Sequence, residues 1–247
     1  MKKQENKIAL VTGSNRGLGR EACRWLALEG YPVILTSRDK AKGQKAADDL
    51  ANNGLKIYYH QLDVNDMQSI QTMYKYIEDT FGRLDILINN AGVFLDTQYV
   101  ANRETVRDLT SPFEAKRNIL LQTFEINTLG PFFMCQTFIP LMIKNGYGRI
   151  VNVSSSMGQL NTMESGWTAY RISKTALNAV TRIFAHEVTG KNILINSVHP
   201  GWVKTDMGGP SAPRSIEEGV ETIVWAATLP DAGPNGQFLR DKQVIEW

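Results

Sequence analysis

Tyr170 and Lys174 stand four positions apart in the stretch Tyr-Arg-Ile-Ser-Lys. The segment around them, Trp167 to Val188, carries Ile172, Ala176, Ala179, Val180 and Ile183 at spacings of three and four. That periodicity predicts a helix with one apolar face. Residues four apart on a helix are neighbours, so the phenol and the ammonium project side by side. A free phenol titrates near pKa ~10. A nearby ammonium favours the phenolate and lowers that value. A tyrosine tuned in this way exchanges a proton near neutral pH. Tyr-x-x-x-Lys also arises by chance in helices, so the elements around it must decide its meaning.

The second chemically suggestive stretch comes early. Lys7-Ile-Ala-Leu-Val-Thr12 reads as a short buried strand, and Gly13-Ser-Asn-Arg-Gly17-Leu-Gly19 follows it. A helix pattern comes next, with Leu18, Ala22, Trp25 and Leu26 on one face and Gly30 at its end. Strand, glycine-rich turn and helix together aim backbone N–H groups at a phosphate. Glycines there let a ligand approach the backbone. The spacing G-x-x-x-G-x-G differs from the G-x-G-x-x-G fingerprint. A tight turn between two packed elements would account for it equally well.

Further along, Val33–Thr36, Ile57–Leu62, Leu84–Ile88, Arg149–Val153, Ile193–Val198 and Gln237–Leu239 read as strands. Helical patterns alternate with them: a stretch to about Ala51, the amphipathic run Met67–Phe81 closed by Gly82, Ile119–Asn145, Trp167–Val188 and Glu217–Leu229. A Gly130-Pro131 step is expected to bend the third of these. Phe94 to Arg117 is polar and irregular and reads as a loop. Alternating strands and helices imply a parallel sheet covered on both faces. With no linker, repeat or low-complexity tract, the reading is one α/β domain. Its architecture is a Rossmann-type doubly wound parallel sheet of about seven strands with helices on both faces. The candidate residues cluster just after strands, where open α/β sheets bind ligands.

A composition 43% hydrophobic and 21% charged supports a large core. A net charge of +2 is too small to suggest a nucleic-acid partner. The apolar run Ile8–Val11 is too short for a signal-peptide core, and no stretch approaches ~18 consecutive apolar residues, so no membrane partner is expected. Cys23 and Cys135 fall in apolar helical patterns, as buried thiols in a reducing cytoplasm would. His60, His186 and His199 lack metal-ligand spacing, so no structural metal is expected.

Four stretches in order, Thr12–Gly19, Asn89-Asn-Ala-Gly92, Tyr170-x-x-x-Lys174 and Pro200-Gly-x-Val-x-Thr205, resemble the short-chain dehydrogenase/reductase family. The resemblance covers nearly the whole chain. Within that family it is strongest to the carbonyl reductases. It is carried by Asn-Arg-Gly in the glycine turn, Leu-Thr-Ser-Arg-Asp after the second strand, His199–Met207, and the tail with its Gly-Gln-Phe and terminal Trp. The resemblance implies an oxidoreductase that reduces a small-molecule aldehyde, ketone or quinone. Tyr170 would protonate the carbonyl oxygen as hydride arrives. Lys174 would lower the Tyr170 pKa and hydrogen-bond the nicotinamide ribose. Ser155, the second serine of its run, would hold the carbonyl, although Ser154 and Ser156 leave the choice ambiguous by one position. Asn127 would anchor a proton-relay water, or be a helix residue bonded to nearby backbone.

On the cofactor side the resemblance implies Gly13, Asn15, Arg16, Gly17, Leu18 and Gly19 in the glycine turn. It adds Asp63 at the adenine with Val64 beside it, Asn90 on the adenosine side with Ala91 and Gly92, and Pro200, Gly201, Val203 and Thr205, the last at the carboxamide. Asn90 would otherwise only brace neighbouring strands. Trp202 and Met207 are candidate apolar substrate contacts, or ordinary packing. An acid at the end of the second strand selects NAD, whereas an arginine there selects NADP by binding its extra phosphate. Ser37 and Arg38 occupy that place, and Arg16 stands where the resembling reductases carry a basic residue. NADP(H) is therefore the expected cofactor, with Arg16, Ser37 and Arg38 converging on one phosphate. Asp39 is the complication: a strand two residues longer would put it in the acidic role and favour NAD.

The chain departs from vertebrate-type carbonyl reductases, which carry a long insertion between serine and tyrosine. Here Ser155 and Tyr170 are only fifteen positions apart, and Asp96–Arg117 looks longer than its counterpart. The missing insertion leaves open a homodimer or homotetramer through the Ile119–Asn145 and Trp167–Val188 helices, or a monomer if Asp96–Arg117 covers that face. Two other classes remain. A non-catalytic NADP-binding regulator would not need Asn127, Ser155, Tyr170 and Lys174 together, and a sugar epimerase would need a larger C-terminal part.

Overall fold

The computed structural model describes residues 7–96 and 110–247. Most of the irregular Asp96–Arg117 stretch lies outside them. The strands are β1 (Ala9–Val11), β2 (Val33–Ser37), β3 (Ile57–Gln61), β4 (Ile86–Asn89), β5 (Gly148–Val153), β6 (Ile193–Val198), β7 (Phe238–Arg240) and β8 (Gln243–Ile245). The helices are α1 (Gly17–Leu28), α2 (Lys40–Ala51), α3 (Met67–Phe81), α4 (Arg117–Phe124), α5 (Gly130–Asn145), α6 (Thr168–Glu187) and α7 (Ile216–Ala227).

Alternation along each strand sends side chains to opposite faces. Val11, Leu35, Ile88 and Val151 pack with Leu26 of α1 and Val220 and Val224 of α7. Leu10, Ile34, Leu87 and Ile150 pack with Ile70 and Met73 of α3 and Met134 and Phe138 of α5. The strand order is β3-β2-β1-β4-β5-β6-β7-β8. All neighbours pair in parallel except β7 and β8. The order reverses between β1 and β4, which places a crevice at their carboxyl ends.

Local chemistry sets the helix ends. Asp66 caps α3 by accepting the Gln68 N–H at 2.9 Å, and Gly82 closes it in the left-handed conformation. Ser215 and Glu218 form a reciprocal capping box at α7. The run Arg117–Asn145 is long and apolar enough to cross a membrane by length and composition, but 56% of its most apolar window is buried inside the fold.

Three expectations change. The sheet gains an eighth strand, β8, reached from β7 by a turn with Asp241 at φ 48° and Lys242 at φ 61°. Asp-Lys lacks the glycine that normally signals such a hairpin. Within Arg117–Asn145 the irregularity is a π-turn over Glu125–Leu129, just before Gly130-Pro131. The face predicted to be apolar on α6 is largely exposed, with Ile172 at 49% and Ile183 at 62%. Its buried face instead carries Ser173, Lys174, Asn178 and Thr181 among Ala169, Leu177 and Val180. These polar groups are matched: Asn152 donates to Thr181 Oγ1 at 2.8 Å, and Asn89 donates to Asn152 Oδ1 at 2.8 Å. A helix docked by hydrogen bonds does not follow the apolar period.

Arg149 is fully buried at the start of β5. It donates to the Leu229 carbonyl at 2.7 Å, the Gly148 carbonyl at 2.8 Å and the Asn192 carbonyl at 3.3 Å. Its carboxylate partner, Asp231, is 74% exposed. Arg149→Leu should therefore cost at least about 3 kcal/mol, because three carbonyls lose their donor. Asp231→Ala should cost less than about 1 kcal/mol. Urea unfolding of both variants measures the difference.

Candidate active site

The glycine turn after β1 is pressed against the exit of β4. Gly13 has φ 61°, and a Cβ there would lie 2.8 Å from Ala91 Cα. A Cβ on Gly19 would lie 2.4 Å from Asn90 Nδ2. That amide donates to the Thr12 carbonyl at 2.9 Å and the Gly13 carbonyl at 3.0 Å. The Asn90 side chain therefore braces the glycine turn against the exit of β4. Arg16 is the N-cap of α1 and makes no side-chain hydrogen bond to its first turn. The positive end of α1 thus has no side chain of its cap across it, as an anion cradle requires. Asn15 and Leu18 lie in the same turn, and Leu18 also packs against Val203 near Gly219. A diphosphate fits this cradle.

The β2 end resolves the Asp39 question. The strand stops at Ser37, and the Asp39 carboxylate accepts the Lys42 N–H at 3.0 Å as the cap of α2. It is a helix cap and does not extend the strand. The expected convergence of three groups is absent, however. Ser37 is buried, with its hydroxyl donating to the Asp39 carbonyl at 2.6 Å, and Arg16 pairs with Asp206. Arg38 stands exposed at the strand end. The cause is local: Ser37 and Tyr59 crowd the close approach of Gly43, and Asp206 is the carboxylate that Arg16 reaches. Asp63 Oδ1 accepts the Asn65 N–H at 3.0 Å, and Val64 packs against Gly130.

The proton chemistry gathers at the end of β5. Ser154 is buried and donates to Asn178 Oδ1 at 2.7 Å. Ser155 is half-buried; its hydroxyl accepts the Met157 N–H at 3.2 Å and lies near enough to the Tyr170 phenol to pull its pKa down. Ser154 is thus tied into the core, while Ser155 stands half-buried on the Tyr170 side. Lys174 Nζ donates to the Val153 carbonyl at 2.8 Å and lies 5.6 Å from the Tyr170 ring centroid. Asn127, in the π-turn, accepts the Val93 N–H at 2.8 Å and donates to the Val93 carbonyl at 2.9 Å and Ser173 Oγ at 3.0 Å. Its amide ties three elements together. Gly92 sits between Asn127 and Lys174, where a Cβ would lie 3.2 Å from Asn127 Oδ1 and 3.7 Å from Lys174 Nζ.

The electrostatics correct one expectation. The Tyr170 phenol is pushed up to about 12, chiefly by burial, with the nearby Ser155 hydroxyl pulling it down and the Asp96 charge pushing it up. Burial pushes Lys174 down to about 8. Burial, not Lys174, sets the direction of the Tyr170 shift; the Lys174 ammonium donates to the Val153 carbonyl. The phenol keeps its proton across the neutral range.

After β6 the chain turns back over the crevice. Pro200 is buried and Gly201 has φ 86°. A Cβ on Gly17 would lie 3.6 Å from Thr205 Cγ2, so this loop meets the glycine turn. Thr205 Oγ1 accepts the Gly208 N–H at 3.1 Å. Trp202 and Met207 are about half exposed, and the Trp202 indole donates to the Gly208 carbonyl at 2.7 Å. Two further neighbours of Tyr170 have no sequence signal. Phe94 stands edge-on to its ring at 4.7 Å, and Asp96 accepts the backbone N–H of Tyr170 at 3.0 Å. Both fall in the stretch that reads only as loop. Among the described residues no group of three His, Cys, Asp or Glu is placed to hold a metal.

A serine just after β5 and a tyrosine and lysine on α6 thus lie near the glycine turn at the switch point. Residues 7–215 match the short chain dehydrogenase family model. The chain belongs to the short-chain dehydrogenase/reductase family. It is 35% identical to carbonyl reductase [NADPH] 1 of Sus scrofa, over 98% of this chain and 94% of the relative. It is also 35% identical to (+)-neomenthol dehydrogenase of Arabidopsis thaliana over the full length of both. The crystal structure of NADPH-bound carbonyl reductase from chicken fatty liver superposes with a TM-score of 0.82. That pair shares 27% identity and covers 99% of this chain and all of the other.

The two serines of this dehydrogenase do different work, and stability separates them. Ser154→Ala leaves Asn178 Oδ1 without its buried donor and should lower stability by about 1–3 kcal/mol. Ser155→Ala removes a half-buried hydroxyl and should cost well under about 1 kcal/mol. Chemical denaturation of the pair is the measurement.

Proposed function

We propose that this protein is an NADPH-dependent reductase of aldehydes, ketones or quinones, with Tyr170 as its proton donor. The observation that carries the reading is the placement of Tyr170 and Lys174 on one face of α6, with Lys174 Nζ on the Val153 carbonyl at 2.8 Å, two residues before Ser155, and beside Gly92 at the switch point. The relatives and the solved neighbour named as NADPH carbonyl reductases support the same chemistry.

The bound dinucleotide would supply the hydride. The chain's residues do the rest. The glycine turn and the N-terminus of α1 bind the diphosphate. Arg38 and Arg16 meet the phosphate that distinguishes NADP, Arg16 by exchanging Asp206 for it. Both partners of that ion pair are 71% exposed, so its loss costs little. Lys174 reaches the nicotinamide ribose. Ser155 and Tyr170 hydrogen-bond the carbonyl oxygen and so stabilise the charge that develops there. That oxygen becomes an alkoxide, a stronger base than the phenolate. Tyr170, protonated at neutral pH, therefore transfers its proton downhill. Trp202 and Met207 offer apolar surface beyond β6 for the substrate's carbon skeleton.

Tyr170→Phe keeps the ring and removes the proton donor. Turnover of NADPH with a carbonyl panel should fall by roughly 10²–10⁴-fold while NADPH still binds. Near-normal turnover would overturn the role of Tyr170. A wild type that binds NADPH and reduces no carbonyl would instead favour the non-catalytic reading.

Cofactor choice has its own test. Wild-type kcat/KM should favour NADPH over NADH, and Arg38→Ala should erode that preference mainly through KM. Preference for NADH, or an Arg38→Ala variant that discriminates like its parent, would contradict the phosphate site.

A further inference from the structure

The first turn of α6 lacks a cap of its own. Its N-cap, Trp167, sits in the left-handed region at φ 45° and makes no side-chain hydrogen bond. A carboxylate from far along the chain takes that place. Asp96, four residues beyond Gly92, accepts the Ala169 N–H at 2.9 Å with one oxygen and the Tyr170 N–H at 3.0 Å with the other. We propose that Asp96 is a positioning residue for Tyr170, seating a carboxylate on the helix turn that carries the phenol. The proposal rests on Tyr170 being the proton donor.

A helix N-terminus left without a cap frays, and its first-turn N–H groups need acceptors. Here one of those N–H groups belongs to Tyr170 itself. Bidentate capping from the β4 side therefore fixes the start of α6 relative to Gly92, on the same chain exit, and to Asn127, which hydrogen-bonds Val93 there. The helix dipole favours an anion at this end. Burial pushes the Asp96 carboxyl above its usual range, and the hydrogen bonds from both amides partly offset this by stabilising the charged carboxylate.

An electrostatic consequence follows. An anion near a phenol disfavours the phenolate. Among the described residues, Asp96, Lys174 and Arg171 carry charge next to this turn. Asp96 lies on the β4 side. Lys174 is one turn on, with its ammonium on the Val153 carbonyl. Arg171 is turned away to the Gly166 carbonyl at 3.0 Å and the exposed Glu164 carboxylate at 3.4 Å. Asp96 thus opposes phenolate formation and keeps Tyr170 in the acid form that carbonyl reduction uses.

The test is a titration that does not depend on turnover. Protein labelled with 13C at the tyrosine ζ carbon is followed by NMR through alkaline pH, with the Tyr170 signal assigned by its loss in Tyr170→Phe. In Asp96→Asn the charge is gone, and the Tyr170 signal should begin to titrate at lower pH than in wild type. Asp96→Ser, neutral and able to cap, should shift in the same direction and guards against a poorly folded amide variant. Asp66→Asn, which weakens the cap of α3 far from the site, should leave the Tyr170 titration where it was. An unchanged titration in both folded Asp96 variants would overturn the proposal, as would an equal shift in Asp66→Asn. Full turnover by Tyr170→Phe would overturn the underlying assignment instead, so the two failures are distinguishable.

Discussion

The backbone of Gly158 rests against the backbone of Lys174, and no side chain fits between them. A Cβ on Gly158 would come within 2.7 Å of the Lys174 carbonyl carbon. This contact sets the distance between the end of β5 and helix α6. Hydrogen bonds tie down the surroundings: Asn178 and Thr175 both donate to the Gly158 carbonyl at 3.2 Å, and Lys174 donates to the Val153 carbonyl. Ser155 lies three residues before Gly158, and Tyr170 lies one turn before Lys174. Fixing one pair of backbones therefore fixes the serine and the phenol against each other. A substitution at Gly158 would move the reacting groups apart before it touched either of them.

The same device, on the other side of the switch point, holds the glycine turn. Gly13 meets Ala91 and Gly19 meets Asn90 at distances that exclude a side chain. β4 lies between β1 and β5 in the sheet, and its exit carries both contacts. From that exit run Asn90 to the glycine turn, Val93 to Asn127, and Asp96 to the start of α6. The anion cradle and the proton donor are thus referenced to a single short strand end. Hydrogen-bonded polar groups, buried at Asn127 and half-buried at Asn90 and Asp96, perform that referencing, and leaving Asn127 unpaired would be costly.

The strand–helix alternation and the glycine turn were readable because each follows a local rule. Apolar runs make buried strands, and glycines mark places without room for a side chain. The residues Ser155, Tyr170 and Lys174 were legible as a set because resemblance supplied roles that spacing alone does not. Less local features escaped. The buried face of α6 is polar, since Asn178, Thr181 and Ser173 are satisfied by partners distant in sequence. β8 is short and turns through non-glycine residues of positive φ. Asp96 carries no pattern at all, because a cap donated across 73 residues has no period. The sign of the Tyr170 shift was also missed. Four-residue spacing predicts a neighbouring ammonium but says nothing of burial, or of the Val153 carbonyl that takes its hydrogen bond.

The central claim is that the glycine cradle holds a hydride donor beside a carbonyl activated by Ser155 and Tyr170. Isotope tracing tests it most directly. The enzyme is incubated in ordinary water with a ketone and NADPH fully deuterated at C4 of the nicotinamide ring. The alcohol formed is then examined by mass spectrometry and NMR. The account predicts one deuterium, bonded to the carbinol carbon. An alcohol formed without deuterium at that carbon would contradict it, as would a full carbonyl panel that leaves bound NADPH unoxidised.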